Sequence, residues 1–164
     1  MEKYRKKIPI TSWNQYISGW ESLNVATASK DPVDWHIRGY WYSDNPDISL
    51  KTYSYNPYLQ NEGVRNEEVA FPLFEKAYIA CNERAFVDLV YVILFEVSAS
   101  ERERTMLLAT LRGDIYNFFP SDTERQYIFS MLHRIWLKTE NDRIRQFLRE
   151  EMPKEYYINI YGKD

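Results

Sequence analysis

The tripeptide Asp34-Trp35-His36 is the most chemically suggestive stretch of the chain. On an extended strand, residues two apart face the same side, which sets the carboxylate of Asp34 beside the imidazole of His36. A carboxylate that orients an imidazole is the usual arrangement for general-base work near neutral pH. A nucleophile to go with it is missing. Cys81 is the one cysteine, it falls at a helix-cap position, and nothing around it argues for a thiolate. Metal chemistry needs three or four ligands at recurring spacings, and no His-x-x-Glu-His or similar pattern occurs. The second histidine, His133, lies between Leu132 and Arg134 on a helical stripe and reads as a half-buried helix residue. The expectation is therefore no catalytic residue, no metal and no cofactor. Asp34 and His36 are expected to form a structural hydrogen bond beside an aromatic cluster, and a small enzyme using the pair is the alternative.

The elements that position these residues follow from local patterns. Residues 1–10 form a basic tip with Lys3, Arg5, Lys6 and Lys7. Ser12-Trp13-Asn14-Gln15 has capping-box spacing and predicts a helix from Trp13 to about Leu23, with Trp13, Tyr16, Ile17 and Trp20 on one face. Residues 24–34 read as a loop. The bulky run from Val33 to Tyr42 predicts a strand, Ser43 to Pro46 a turn, and Ile48 to Tyr55 a second strand antiparallel to the first. Asn61 to Gly63 is another turn, and Ala77 to Ala80 a short strand. Asn82 caps a helix that begins at Glu83. The apolar run Leu89–Phe95 suits a strand equally well, but Asp88 and the helix-forming start favour a helix. Ser100-Glu101-Arg102-Glu103 and Ser121-Asp122-Thr123-Glu124 introduce two further helices. Gly113 interrupts the far end of the first, and residues 139–142 break or re-cap the second before Ile144, Phe147 and Leu148. The weak alternation from Tyr156 to Tyr161 predicts an edge strand or an interface arm. The sum is a single α+β domain over 1–164. It comprises the tip at 1–10, a helix plus a small antiparallel aromatic-rich sheet over 13–80, a mainly helical half over 82–152, and a tail at 153–164.

Composition narrows the function classes. The chain has 164 residues, 21 Lys+Arg against 24 Asp+Glu, and a formal net charge of −3. Nucleic-acid binders usually present a basic face, so nucleic acid is not expected as a partner. Only 5 residues are glycine, and neither phosphate-cradling glycine motif occurs. No apolar stretch approaches the roughly 20 residues that cross a bilayer, and the charged first ten residues do not read as a signal peptide. A cytoplasmic protein without membrane contact is expected. Every aromatic before Phe71 is Trp or Tyr, side chains that suit half-wet interfaces. From Asp31 to Glu75 there are eight acids and three bases, a net of −5. An acidic surface carrying Trp35, His36, Tyr40, Tyr42, Tyr53 and Tyr55 fits docking on a basic protein.

Residues 79–91 read Ile-Ala-Cys-Asn-Glu-Arg-Ala-Phe-Val-Asp-Leu-Val-Tyr. This segment resembles the strand-to-helix signature of AbiEi-type antitoxins from bacterial abortive-infection systems. The matching positions are Ile79, Ala80, Glu83, Arg84, Ala85, Asp88 and Tyr91, with Cys81-Asn82 where the family has a Ser-Pro-like cap. The order of elements on either side is also similar. The resemblance implies a non-enzymatic antitoxin that counteracts a nucleotidyltransferase-like toxin in phage defence. It covers only the neutralising part, since residues 1–30 hold too few helices for the family's winged-helix domain. An adaptor subunit of a mobile-element complex is the other binding reading. Within the motif, Arg84 and Asp88 are an i,i+4 pair and read as a buried polar clasp.

Overall fold

The computed structural model describes residues 3–54, 56–70, 75–96 and 98–162. These group into two units, Met1–Leu89 and Val90–Asp164. The fold class is α+β, with small antiparallel sheets early and helices after them.

The first unit contains, in chain order, β1 (Tyr4–Arg5), β2 (Gln15–Tyr16), α1 (Gly19–Leu23), α2 (Ile37–Trp41), β3 (Tyr42–Ser43), β4 (Tyr53–Ser54), β5 (Val64–Glu68), β6 (Lys76–Ala80) and the first turns of α3 (Asn82–Phe95). The strands pair antiparallel as β1 with β3, β2 with β4, and β5 with β6. Several expectations are corrected here. The helix predicted from Trp13 to Leu23 is only α1. Ser12 bends the chain by accepting from the N–H groups of Asn14 (3.2 Å) and Gln15 (3.1 Å). Ile17 serves as an extra strand along β6, donating to Tyr78 O and accepting from Ala80 N–H, both at 2.9 Å. Gly19 then turns at φ +60°, with the Tyr53 ring packed where a Cβ would stand. Tertiary pairing thus overrides the helical spacing of Trp13, Tyr16, Ile17 and Trp20.

The strand predicted over Val33–Tyr42 is instead a loop leading into α2, and β3 begins only at Tyr42. Of the strand predicted over Ile48–Tyr55, the described part holds β4 at Tyr53–Ser54 and an isolated bridge from Ser49 to Lys7. Tyr55 lies outside the described residues. Within the basic tip, Tyr4 and Arg5 pair with Ser43 and Tyr42. Apolar packing centres on Ile17, Val25, Trp41, Leu50, Val69, Ala77 and Ile79. Trp41 is buried and donates its indole N–H to Glu21 O at 2.8 Å.

Beside this core sits a polar centre. Arg84 is fully buried and Asp88 nearly so. Arg84 Nε donates to Asp88 Oδ1 at 2.9 Å, while Tyr16 OH (2.8 Å) and Ser18 Oγ (2.7 Å) donate to Asp88 Oδ2. Three of the four remaining guanidinium N–H groups go to Tyr16 OH (2.8 Å), Gln60 O (2.8 Å) and Glu62 O (2.5 Å). The carbonyls come from a turn built for the purpose. Asn56 Oδ1 accepts from Tyr58 and Leu59 N–H, and Gln60 (φ 53°) and Gly63 (φ 75°) take left-handed conformations. A buried ion pair survives only when its other donors and lone pairs find partners, and here four of the five guanidinium N–H groups and both carboxylate oxygens have one. The buried clasp expected from the Arg84–Asp88 spacing is present.

The second unit begins within α3 and continues with α4 (Glu101–Phe118), α5 (Asp122–Thr139), α6 (Asp142–Glu151) and α7 (Lys154–Tyr161). α3 is a helix through the ambiguous run, as Asp88 suggested. The capping box at Ser100 is complete, with Glu103 N–H on Ser100 Oγ (3.2 Å) and Ser100 N–H on Glu103 Oε2 (2.8 Å). Ser121 occupies the N-cap of α5 without a side-chain bond. The break after Thr139 is made by Glu140 in a left-handed conformation, and Asn141 caps α6 by accepting from Arg143 and Ile144 N–H. The expected tail strand is a helix. Tyr157 and Tyr161, one turn apart, lie 4.7 Å from each other between centroids, and Tyr161 stands edge-on to Trp136 at 5.0 Å. No helix among the described residues is long and apolar enough to cross a membrane.

Candidate functional site

The loop between α1 and α2 is fixed from behind by its own polar side chains. Leu23 O at the end of α1 accepts from both Val33 N–H (3.0 Å) and Asp34 N–H (3.1 Å), which folds residues 24–34 back on themselves. Asn24 then bridges the two ends. Its Nδ2 donates to Trp20 O (2.8 Å) and Asp34 Oδ2 (3.1 Å), and its Oδ1 accepts from His36 N–H (2.6 Å). His36 Nδ1–H donates to Asp34 Oδ1 at 2.5 Å. A few residues on, Lys30 ties the loop down by donating to Val25 O (3.0 Å), to Asn82 Oδ1 (2.8 Å) and to Ser22 O.

This bracing leaves two rings outward. Trp35 is 79% exposed and the His36 side chain 76%, against 10% for Asp34. An indole held in water has no value to the fold, because its apolar area stays wet. The Asp34–His36 hydrogen bond expected from the sequence is present. It arises from a turn braced by Asn24, not from a strand, and Asn24 carries no sequence motif that would have marked it.

The other candidate residues are placed as follows. Tyr40 is half-buried on α2 and stacks on Trp20 at 5.6 Å. Tyr42 is half-buried in β3 and packs against the apolar core. Tyr53 covers Gly19 on one side and carries the Lys51 ammonium 5.5 Å from its ring centroid. In the 79–91 motif, Arg84 and Asp88 are committed to the interior, while Glu83 and Tyr91 are half-buried, Tyr91 lying 4.8 Å from Phe95. Cys81 Sγ accepts from Arg84 N–H at 3.4 Å, and burial pushes its thiol up to about 11, away from thiolate chemistry. His133 stacks on Trp136 and meets Tyr161 OH at 2.5 Å, and burial lowers its pKa. No group of three or more His, Cys, Asp or Glu side chains gathers to hold a metal among the described residues.

Five of the eight acids that give 31–75 its negative charge are exposed: Asp31, Asp44, Asp47, Glu68 and Glu75. Asp47 pairs with Lys7 at 3.0 Å, and the half-buried Glu67 accepts from Thr27 and Ser29 hydroxyls. No family model matches the chain, and neither a curated protein nor a solved structure matches it.

Proposed function

We propose that this chain is a docking protein with no chemistry of its own, which counteracts a toxin enzyme by covering a basic face of it. The observation that carries the reading is Trp35, 79% exposed on a loop pinned through Asn24 and Asp34. A rigid, solvent-exposed indole is the kind of anchor that dominates protein interfaces, because its area is available for burial and little freedom remains to be lost. The exposed acids of the same unit would steer a basic partner. The resemblance of residues 79–91 to AbiEi-type antitoxins supplies the partner's class, a nucleotidyltransferase-like toxin whose nucleic-acid site would be basic.

The test is co-expression with the product of the adjacent gene, scored as growth. Wild type is expected to restore growth, and Trp35→Ala to lose the rescue, with partner affinity down at least about tenfold. The melting temperature should stay within about 2 °C, since the ring supports nothing. Rescue that is indifferent to Trp35→Ala, or a neighbour that is not toxic, refutes the reading. A second reading, general-base chemistry, is favoured by the 2.5 Å contact between Asp34 and His36. Turnover of an activated ester that His36→Ala abolishes without a loss of stability would support it.

A further inference from the structure

In the sequence the cap of α3 falls at Asn82, but in the structure Cys81 takes that place: its Sγ accepts from Arg84 N–H (3.4 Å) and its carbonyl from Ala85 N–H (2.9 Å). The Asn82 side chain, 8% exposed, turns instead to the loop between α1 and α2. Its Oδ1 accepts from Lys30 Nζ and its Nδ2 donates to Asp31 O, both at 2.8 Å. Lys30 also donates to Val25 O (3.0 Å) and to Ser22 O, so one ammonium joins α1, the loop and α3. Farther round the loop, the Thr27 and Ser29 hydroxyls donate to Glu67 Oε2 on β5 at 2.6 and 2.8 Å, and Thr27 bridges to Val69. Residues 27–31 are thus fastened to two elements distant in sequence, at points separate from the Asn24–Asp34–His36 brace.

We infer that Asn82, Lys30 and Glu67 are positioning residues for Trp35, through which α3 and β5 hold the loop in the one conformation that presents the indole. The inference rests on the docking role given to Trp35. The connection runs along the backbone. Asn82 fixes Asp31 O, Leu23 O fixes the Val33 and Asp34 N–H groups, and Asn24 fixes the His36 N–H. Bonded groups therefore stand on both sides of Trp35. Without Asn82, Lys30 keeps only the carbonyls of Ser22 and Val25, and Asp31 O loses this donor. Residues 27–34 then open as a unit, because a loop with few apolar contacts is held by its hydrogen bonds. A partner that meets an opened loop has to order it first, which lowers the apparent affinity by the closed fraction. The segment 79–91 thus acts on docking through Asn82, while Arg84 and Asp88 keep to the interior.

Amide hydrogen exchange and NMR relaxation on the full chain without a partner test it, with the growth rescue alongside. In wild type the Trp35 backbone amide should be rigid, with an order parameter of about 0.85. Asn82→Ala should speed exchange at Val33 and Asp34 at least about tenfold. Exchange at Ile17 and Ala80, whose N–H groups join residue 17 to β6, should stay within about twofold of wild type. A merely structural loss would speed all four. Adding Glu67→Ala should drop the Trp35 order parameter below about 0.6 and weaken the rescue. If the Asn82 variant does not fold, Glu67→Ala alone decides, read at Thr27, whose N–H donates to Lys30 O. Unchanged exchange in the loop overturns the inference. So does a loosened loop that rescues as well as wild type while Trp35→Ala does not. Rescue that survives both changes sinks the docking role of Trp35 instead, and the exchange and relaxation results then decide the positioning by themselves.

Discussion

Asp88→Ala is the most informative single perturbation of this fold. The carboxylate is 3% exposed and accepts from Arg84 Nε, Tyr16 OH and Ser18 Oγ at 2.7–2.9 Å. Its removal leaves the Arg84 guanidinium, which has no exposed surface, with two carbonyls and a hydroxyl but no counter-charge. Breaking a buried pair in this way costs about 3–5 kcal/mol, mostly as an uncompensated charge. The orphaned Ser18 hydroxyl adds about 1 kcal/mol. With a urea slope of about 2 kcal/mol per molar, the midpoint should fall by roughly 2 M. Tryptophan emission suits the assay, because Trp13, Trp20, Trp35 and Trp41 all belong to the first unit. Replacing both partners, as Arg84→Met with Asp88→Leu, should cost less than the sum of the single changes, with a coupling of at least about 2 kcal/mol. A midpoint shift below about 0.5 M for Asp88→Ala, or additive single changes, would refute the role assigned to the clasp.

Further predictions concern particular backbone and thiol positions. Gly63→Ala should destabilise by more than about 1 kcal/mol, because its φ is +75° and a Cβ would lie 2.9 Å from Arg84 Cβ and Cys81 Sγ. Gly113→Ala, inside α4 with nothing within 4 Å of a new Cβ, should instead stabilise by about 0.5–1 kcal/mol; thermal melts of both variants check the contrast. Cys81 should react slowly with a disulfide reagent at pH 8 until urea unfolds the chain, since burial raises its pKa from 9.0 to about 11. The unfolded thiol ionises first, so this group's contribution to stability is intact below pH 9 and is lost as pH rises to about 11. Comparing wild type with Cys81→Ala across that range isolates it.

The helical half was largely legible from the sequence, because its signals are local. Ser100 and Glu103 close a capping box, and Asn141 caps α6. Asp88 within the apolar run and the helix-forming start favoured α3 as a helix. The first unit was legible only in outline, because its decisive contacts are distant in sequence. Ile17 bonds to residues 78 and 80, Ser18 to Asp88, and Tyr53 to the space above Gly19, and none of these leaves a mark near residues 13–23. β5 reads Val-Arg-Asn-Glu-Glu, with only Val64 turned into the core, so it lacks the alternation that announces a strand. The tail misled for the opposite reason. Tyr157 and Tyr161 fit both a two-residue and a helical period, and the bed formed by Trp136 and His133 chose the second. At the candidate site the Asp34–His36 contact was foreseen, but the brace by Asn24 was not, since a lone asparagine after a helix carries no pattern.

The turn at residues 56–63 sits half in solvent, where chains ordinarily gain and lose residues without harm. This one has no such latitude. Its carbonyls at Gln60 and Glu62 are the ligands of a guanidinium in the interior, so one residue inserted or deleted would withdraw them from Arg84. Among descendants of this sequence, length variation should therefore collect elsewhere and spare this segment.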